Sequence, residues 1–184
     1  TEAFLTDAHG RDHISMAQIG FDSDNKIVGL KVNTKANLGA YMSLFSSAVP
    51  TYLYATLLSG QYNISNIYCD VQAVYTNTAP VDAYRGAGRP EACYLVERIM
   101  ETAARELGVS PVELRRQNFI TEFPHETPVI MTYDVGDYAA NLEQAMEASN
   151  YNSFNKRRVE AQKRGKLRGL GMSCYIEACG IAPS

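Results

Sequence analysis

Apolar and polar positions alternate loosely from His13 to Phe21, with Ile14, Met16 and Ile19 expected to face inward. Asp22-Ser23-Asp24-Asn25 carries turn chemistry, and Ile27, Val28, Leu30 and Val32 open a second apolar run, so the pattern predicts a hairpin. No period holds from Asn37 to Phe45, because Gly39 interrupts it. Ser46 and Ser47 then offer a helix N-cap, and Pro50 falls in a first turn where its missing N–H costs little. Leu53, Leu57 and Leu58 make a helical stripe that Gly60 can stop. Ile67 to Thr76 is the plainest strand, with Ile67, Cys69, Val71, Ala73 and Tyr75 on one face and Tyr68, Asp70, Gln72 and Thr76 on the other.

The strongest helical pattern follows a loop. Pro90 suits the first helical position and Glu91 the positive end of the helix dipole. Ala92, Leu95, Val96, Ile99, Ala103 and Leu107 form a stripe for burial, ended by Gly108. Ser110-Pro111-Val112-Glu113 has the form of a capping box, opening a shorter helix to about Asn118. Phe119 to Val135, with two prolines, reads as an irregular connector, and a sub-boundary is expected near 120–136. Two more helices are predicted at about Asp137 to Ser149 and Ser153 to Arg164, then a strand over Gly169 to Tyr175 with nothing to close it. Strands and helices mix without regular alternation, so the fold class is α+β, a mixed sheet with packed helices. The missing initial methionine and the unclosed last strand suggest an internal segment, 1–184, of a larger protein.

Composition changes this picture little. With 46% hydrophobic and 20% charged residues the chain reads as an ordinary globular protein, and a net charge of -3 gives no reason to expect nucleic acid. The longest apolar stretch, Ala48 to Leu58, is broken by Pro50, Thr51 and Thr56 and is too short to span a bilayer. Cys69, Cys93, Cys174 and Cys179 lack Cys-x-x-Cys pairing, and His9, His13 and His125 lack a metal-ligand spacing. No metal site is written locally, and reduced thiols in the cytoplasm are expected. The basic run Lys156-Arg157-Arg158 through Lys163, Arg164, Lys166 and Arg168 suits a solvated helix face better than an acidic partner.

Chemistry concentrates in Thr76 to Glu91, a strand end and a glycine-containing turn into a capped helix. Gly86 and Gly88 allow close backbone approach, the helix start suits an anionic or oxo-rich group, and Arg85 adds a permanent charge with a planar donor fork. A tight turn with a surface arginine explains the same residues. The Rossmann fingerprint fails, because Glu91 stands where its third glycine belongs.

Ala83-Tyr84-Arg85-Gly86-Ala87-Gly88-Arg89-Pro90-Glu91-Ala92 resembles the molybdenum-site loop of the xanthine dehydrogenase, aldehyde oxidase and carbon monoxide dehydrogenase family. Glu97-Arg98, Leu107-Gly108 and Pro111 to Asn118 are similar to the helices after that loop. Ala36 to Tyr41, Tyr75-Thr76-Asn77 and Gly171 to Ser184 are similar too. The resemblance covers nearly the whole chain and leans toward carbon monoxide dehydrogenase-like large subunits. It implies a molybdenum-molybdopterin cofactor, iron–sulfur and FAD groups in partner subunits or domains, and hydroxylation of a small organic substrate with water-derived oxygen. Arg85 matches the arginine that faces metal and substrate, and Gly86 and Ala87 match the cofactor-side positions next to it. The family's other cofactor motifs and its base glutamate would lie before Thr1 and after Ser184, so the segment alone is not expected to be a complete enzyme. Glu177 has no motif that makes it the base. Carbon monoxide dehydrogenases carry a copper-holding cysteine where this chain has Gly86, and purine oxidases a second substrate arginine at about Leu53 and an aromatic at Ala87, so the resemblance implies an aldehyde or N-heterocycle instead. The alternative is a non-catalytic binding or scaffold module that retains the loop.

Overall fold

The computed structural model describes residues 2–179. The last positions of the family resemblance, 180–184, lie outside the described residues. A short helix α1 (Ala3–Thr6) leads to β1 (His13–Phe21) and β2 (Ile27–Gly39), an antiparallel hairpin. Its turn is closed by Asp22, whose carboxylate accepts from the amides of Asp24 and Lys26 at 2.9 Å each. β3 (Ile67–Tyr75) lies parallel to β2, so β2 is the centre of a mixed three-stranded sheet. A parallel pair needs a crossover of a dozen residues or more, and 40–66 supplies it.

Two of the three residues expected inward on β1 face outward. Ile14 and Met16 are each 74% exposed, while Ala17 and Ile19 pack against the core and Ser15, on their face, bonds to Thr34. Pairing decides this: Ala17 lies opposite Val32 and Ile19 opposite Leu30, and a side-chain period of two then sends positions 14 and 16 outward. On β3 the inward face holds for Ile67, Cys69 and Val71, but Ala73 and Tyr75 run past the core and are exposed.

The crossover contains a π-helical turn, Val49–Leu53, in place of the capped α-helix expected there. Neither serine caps it, and the Ser46 hydroxyl donates instead to the Ser43 carbonyl at 2.9 Å. Tyr54, Leu57 and Leu58 nevertheless become core.

Helix α2 (Arg89–Leu107) buries Ala92, Leu95, Val96, Met100, Ala103 and Ala104 in the core, while Leu107 is exposed. Gly108 ends it in the left-handed region, its amide donating to the carbonyls of Ala104 and Arg105. α3 (Pro111–Asn118) begins after Ser110 as expected, but no capping box forms. The Ser110 side chain makes no cap bond, and Glu113 pairs with Arg116. The connector holds a two-residue hairpin, β4 (His125–Glu126) with β5 (Thr132–Tyr133). α4 (Tyr138–Ala148) is capped by Asp137, whose carboxylate accepts from the Ala140 amide at 3.0 Å. A 3-10 turn (Tyr151–Ser153) then leads into α5 (Phe154–Lys163).

The strand predicted over Gly169 to Tyr175 does not form. Its backbone bonds go to side chains rather than to a neighbouring strand: Gln61 Nε2 donates to the Tyr175 carbonyl at 2.8 Å, and the Cys174 amide to Glu97 Oε2 at 2.7 Å. That carboxylate also accepts from the Tyr62 hydroxyl and from Arg115 Nε at 3.1 Å. The Arg115 side chain is 0% exposed, so a hydrogen-bonded ion pair joins α2 to α3 inside the core.

Candidate active-site loop

Residues 76–88 leave β3 and cross the end of the sheet beside two other segments. Asn37, at the end of β2, organises the crossing. Its Oδ1 accepts from the Gly39 amide at 2.7 Å and the Thr76 hydroxyl at 2.8 Å, and its Nδ2 donates to Asp12 at 2.7 Å and Thr78 at 3.0 Å. On one flank, residues 9–12 pair with the loop, the His9 amide donating to the Pro80 carbonyl and the Asp82 amide to the His9 carbonyl, both at 2.8 Å. On the other flank the Asp82 carboxylate accepts from the Ser43 hydroxyl and from the Phe45 amide at 3.2 Å. The loop is therefore tied down on both sides.

Arg85, Gly86 and Ala87, the residues singled out in the sequence, stand together at the tip, and Arg85 is exposed. Gly86, Ala87 and Gly88 take φ values of 99°, 43° and 92°, three successive left-handed residues. At two of them glycine is also needed for space inside the protein. A Cβ on Gly86 would lie 2.4 Å from Pro90 Cγ, and one on Gly88 would lie 2.3 Å from the Val49 carbonyl oxygen. The amides of Ala87 and Arg89 close the turn onto the carbonyls of Tyr84 (2.7 Å) and Gly86 (3.2 Å). Glycine at these two positions is therefore also required by the packing of the loop on its own scaffold. What the tip offers outward is the Arg85 guanidinium.

Arg11 touches the loop at two places and the first turn of α2 at a third. Its guanidinium donates to the Arg85 carbonyl, lies over the Tyr84 ring at 4.8 Å, and stands 3.8 Å from Glu91 Oε2. Arg11, His13, Tyr54, Glu91, Tyr94 and Arg98 line a cavity of about 620 Å³ between β1 and α2. Burial lowers the His13 pKa, against the opposing pull of Glu91 and Asp12, and its Nδ1 has no hydrogen-bond partner. Sequence reasoning missed both Arg11 and Asn37. Asn37 sat inside a quoted motif without a role, and nothing in the sequence signals that Arg11 lies against a loop more than seventy positions away.

Glu177 forms an ion pair with Arg89 at 2.6 Å, which ties the C-terminal segment to the start of α2. Among the described residues no group of three His, Cys, Asp or Glu side chains could hold a metal ion, and no helix is long and apolar enough to cross a membrane. On α5, Lys163 pairs with Glu160, and Arg157 donates to the carbonyls of Ser149 and Asn150 at 3.0 Å.

The chain is similar to several known oxidoreductases. It is 36% identical to the carbon monoxide dehydrogenase large chain of Hydrogenophaga pseudoflava, covering 100% of this chain and 24% of that one. It is 30% identical to the nicotine 6-hydroxylase large subunit of Paenarthrobacter nicotinovorans, covering 97% and 22%. Among solved structures, quinoline 2-oxidoreductase from Pseudomonas putida 86 superposes with a TM-score of 0.82 at 30% identity, covering 89% of this chain and 21% of that one. The chain thus spans about a quarter of the length of these relatives. The family model for the molybdopterin cofactor-binding domain matches residues 1–119, the hairpin, the crossover, the loop and helices α2 and α3 included, and the chain belongs to that family.

Proposed function

We propose that the chain forms one wall of the molybdenum-cofactor site in the large subunit of a hydroxylase. In that site Arg85, Gly86 and Ala87 face the cofactor, and the substrate is an aldehyde or an N-heterocycle. The observation that carries this reading is an exposed guanidinium at the tip of a loop anchored on both flanks. When bound, the molybdenum centre supplies the oxidising capacity and the water-derived oxygen that enters the substrate. Arg85 contributes a permanent positive charge carried on a loop whose backbone is anchored before the substrate arrives, and this stabilises negative charge developing on the substrate. Tyr41, Met42, Leu44 and Phe45, all exposed and held beside the loop through Asp82, offer an apolar surface for the body of the substrate and exclude water from it. Partner subunits or domains with iron–sulfur and flavin groups take the electrons onward.

Carbon monoxide is not the substrate in this reading. A soft thiolate suits Cu(I), and Gly86 offers no side chain. With φ at 99° and Pro90 Cγ 2.4 Å from the would-be Cβ, the loop in this conformation has no room for a cysteine.

The test uses the full-length, cofactor-loaded protein, with dye reduction on benzaldehyde and quinoline as probes. Arg85→Ala is expected to lower turnover by about 10²–10³-fold with the molybdenum content unchanged, the usual effect of removing one preorganised charge. Wild-type turnover in that variant would reduce Arg85 to a surface turn residue. Copper-dependent dye reduction under carbon monoxide would show that another residue supplies the ligand.

A further inference from the structure

We infer that Arg11 is a positioning residue for the active-site loop, holding Arg85 in place by clamping both ends of the turn that carries it; this rests on the reading of Arg85 given above. Arg11 comes from the segment before β1, far from the loop in sequence, yet its one side chain reaches two parts of the loop and the first turn of α2. It donates to the Arg85 carbonyl, covers the Tyr84 ring at 4.8 Å, and faces Glu91 Oε2 at 3.8 Å. Tyr84 precedes the turn and Glu91 follows it, so the guanidinium spans the tip from entry to exit.

Three further observations place the arginine there by design of the fold rather than by chance of a surface rotamer. The Glu91 side chain is only 9% exposed, and its Oε2 has no hydrogen-bond partner, so the guanidinium is the cation that compensates this buried charge. The Arg11 backbone sits at φ 57°, a left-handed conformation that strains a non-glycine residue and that the surroundings must enforce. The residue before it, Gly10, lets the segment close on the loop, since a Cβ there would lie 2.5 Å from Tyr84 Cβ. Lysine cannot do the same work. A planar fork offers separate N–H groups to a carbonyl and a carboxylate while its face stacks on a ring, whereas an ammonium is a single point charge.

The test compares Arg11→Met, Arg11→Lys and Arg85→Ala in the full-length holoprotein. Molybdenum content, kcat and KM on benzaldehyde and quinoline, and amide hydrogen exchange in a peptide covering 84–91 are measured for each. Arg11→Met is expected to keep its molybdenum and lower kcat about 10–100-fold, because displacement of a catalytic group by about 1 Å costs on that order. KM should change by less than the fall in kcat. Exchange at the Ala87 and Arg89 amides should quicken, since their turn bonds lose their brace. Arg11→Lys should recover part of kcat, giving the order wild type, lysine, methionine. In an Arg85→Ala background, Arg11→Met should add little further loss in kcat. Wild-type kcat in Arg11→Met with a slowed Arg85→Ala would overturn the clamp, as would unchanged exchange in 84–91. Wild-type kcat in both variants, with exchange quickened in Arg11→Met, would leave the clamp standing and overturn the reading of Arg85.

Discussion

Replacing Arg115 by methionine is expected to be among the most damaging single changes in the chain. Arg115 is 0% exposed and its partner Glu97 8%. Burial disfavours the guanidinium charge, but Tyr62 and Glu97 outweigh that penalty and the Arg115 pKa is raised, so Arg115 stays charged. Besides Glu97, Arg115 donates to the Pro111 carbonyl at 3.0 Å and to Glu101 at 3.4 Å. Taking the arginine away leaves a carboxylate in the core with only the Tyr62 hydroxyl and the Cys174 amide to solvate it. Breaking one side of such a pair costs about 3–5 kcal/mol, a large share of a typical domain stability of about 5–15 kcal/mol. Replacing both charges removes the stranded carboxylate, so Glu97→Leu with Arg115→Met should be less damaging than Arg115→Met alone, with a coupling energy of about 2 kcal/mol or more. The assay is urea unfolding of the full-length protein, read locally by hydrogen exchange in peptides from α2 and α3. A cost below about 1 kcal/mol for Arg115→Met, or simple additivity in the double variant, would refute the claim that this pair is a desolvated unit.

Other consequences are more local. The lowered His13 pKa means that its stabilising contribution is full above about 6.5, the unperturbed value, and is lost as the pH falls through the folded value. His13→Phe should therefore flatten the loss of stability between pH 7.5 and 5, and an unchanged acid slope would contradict it. Burial pushes the Cys174 thiol up to about 11, so iodoacetamide at pH 8 should label exposed Cys179 well before Cys174, as mass spectrometry of the digested protein would show. Equal labelling rates would mean that the C-terminal segment does not stay docked on Glu97. Gly88→Ala forces a Cβ to 2.3 Å from the Val49 carbonyl oxygen and should cost about 1–3 kcal/mol from overpacking on top of its left-handed strain. Gly108→Ala meets nothing within 4 Å and should cost only the strain, about 1–2 kcal/mol. Thermal melting of the two variants separates these outcomes.

Local chemistry was enough to read much of this chain from its sequence. The hairpin turn at Asp22, the proline and glycine that bracket α2, and the helix starting near Asp137 all depend on signals within a few residues of themselves, and the structure keeps them. The loop motif was legible too, because Arg85, Gly86 and Ala87 are neighbours in the chain. What failed depended on partners far away in sequence. Ile14 and Met16 turned outward because strand register, set by pairing with β2, decides which alternate residues meet the core. Gly169 to Tyr175 has a strand's residues but no neighbouring strand, and its backbone is satisfied by Gln61 and Glu97 instead. Arg11, Asn37 and the Glu97–Arg115 pair owe their roles to contacts 18 to 74 positions apart. A charge or an amide becomes a brace only when folding removes water and brings its partner within reach, and no local pattern in a single chain records where that partner will be.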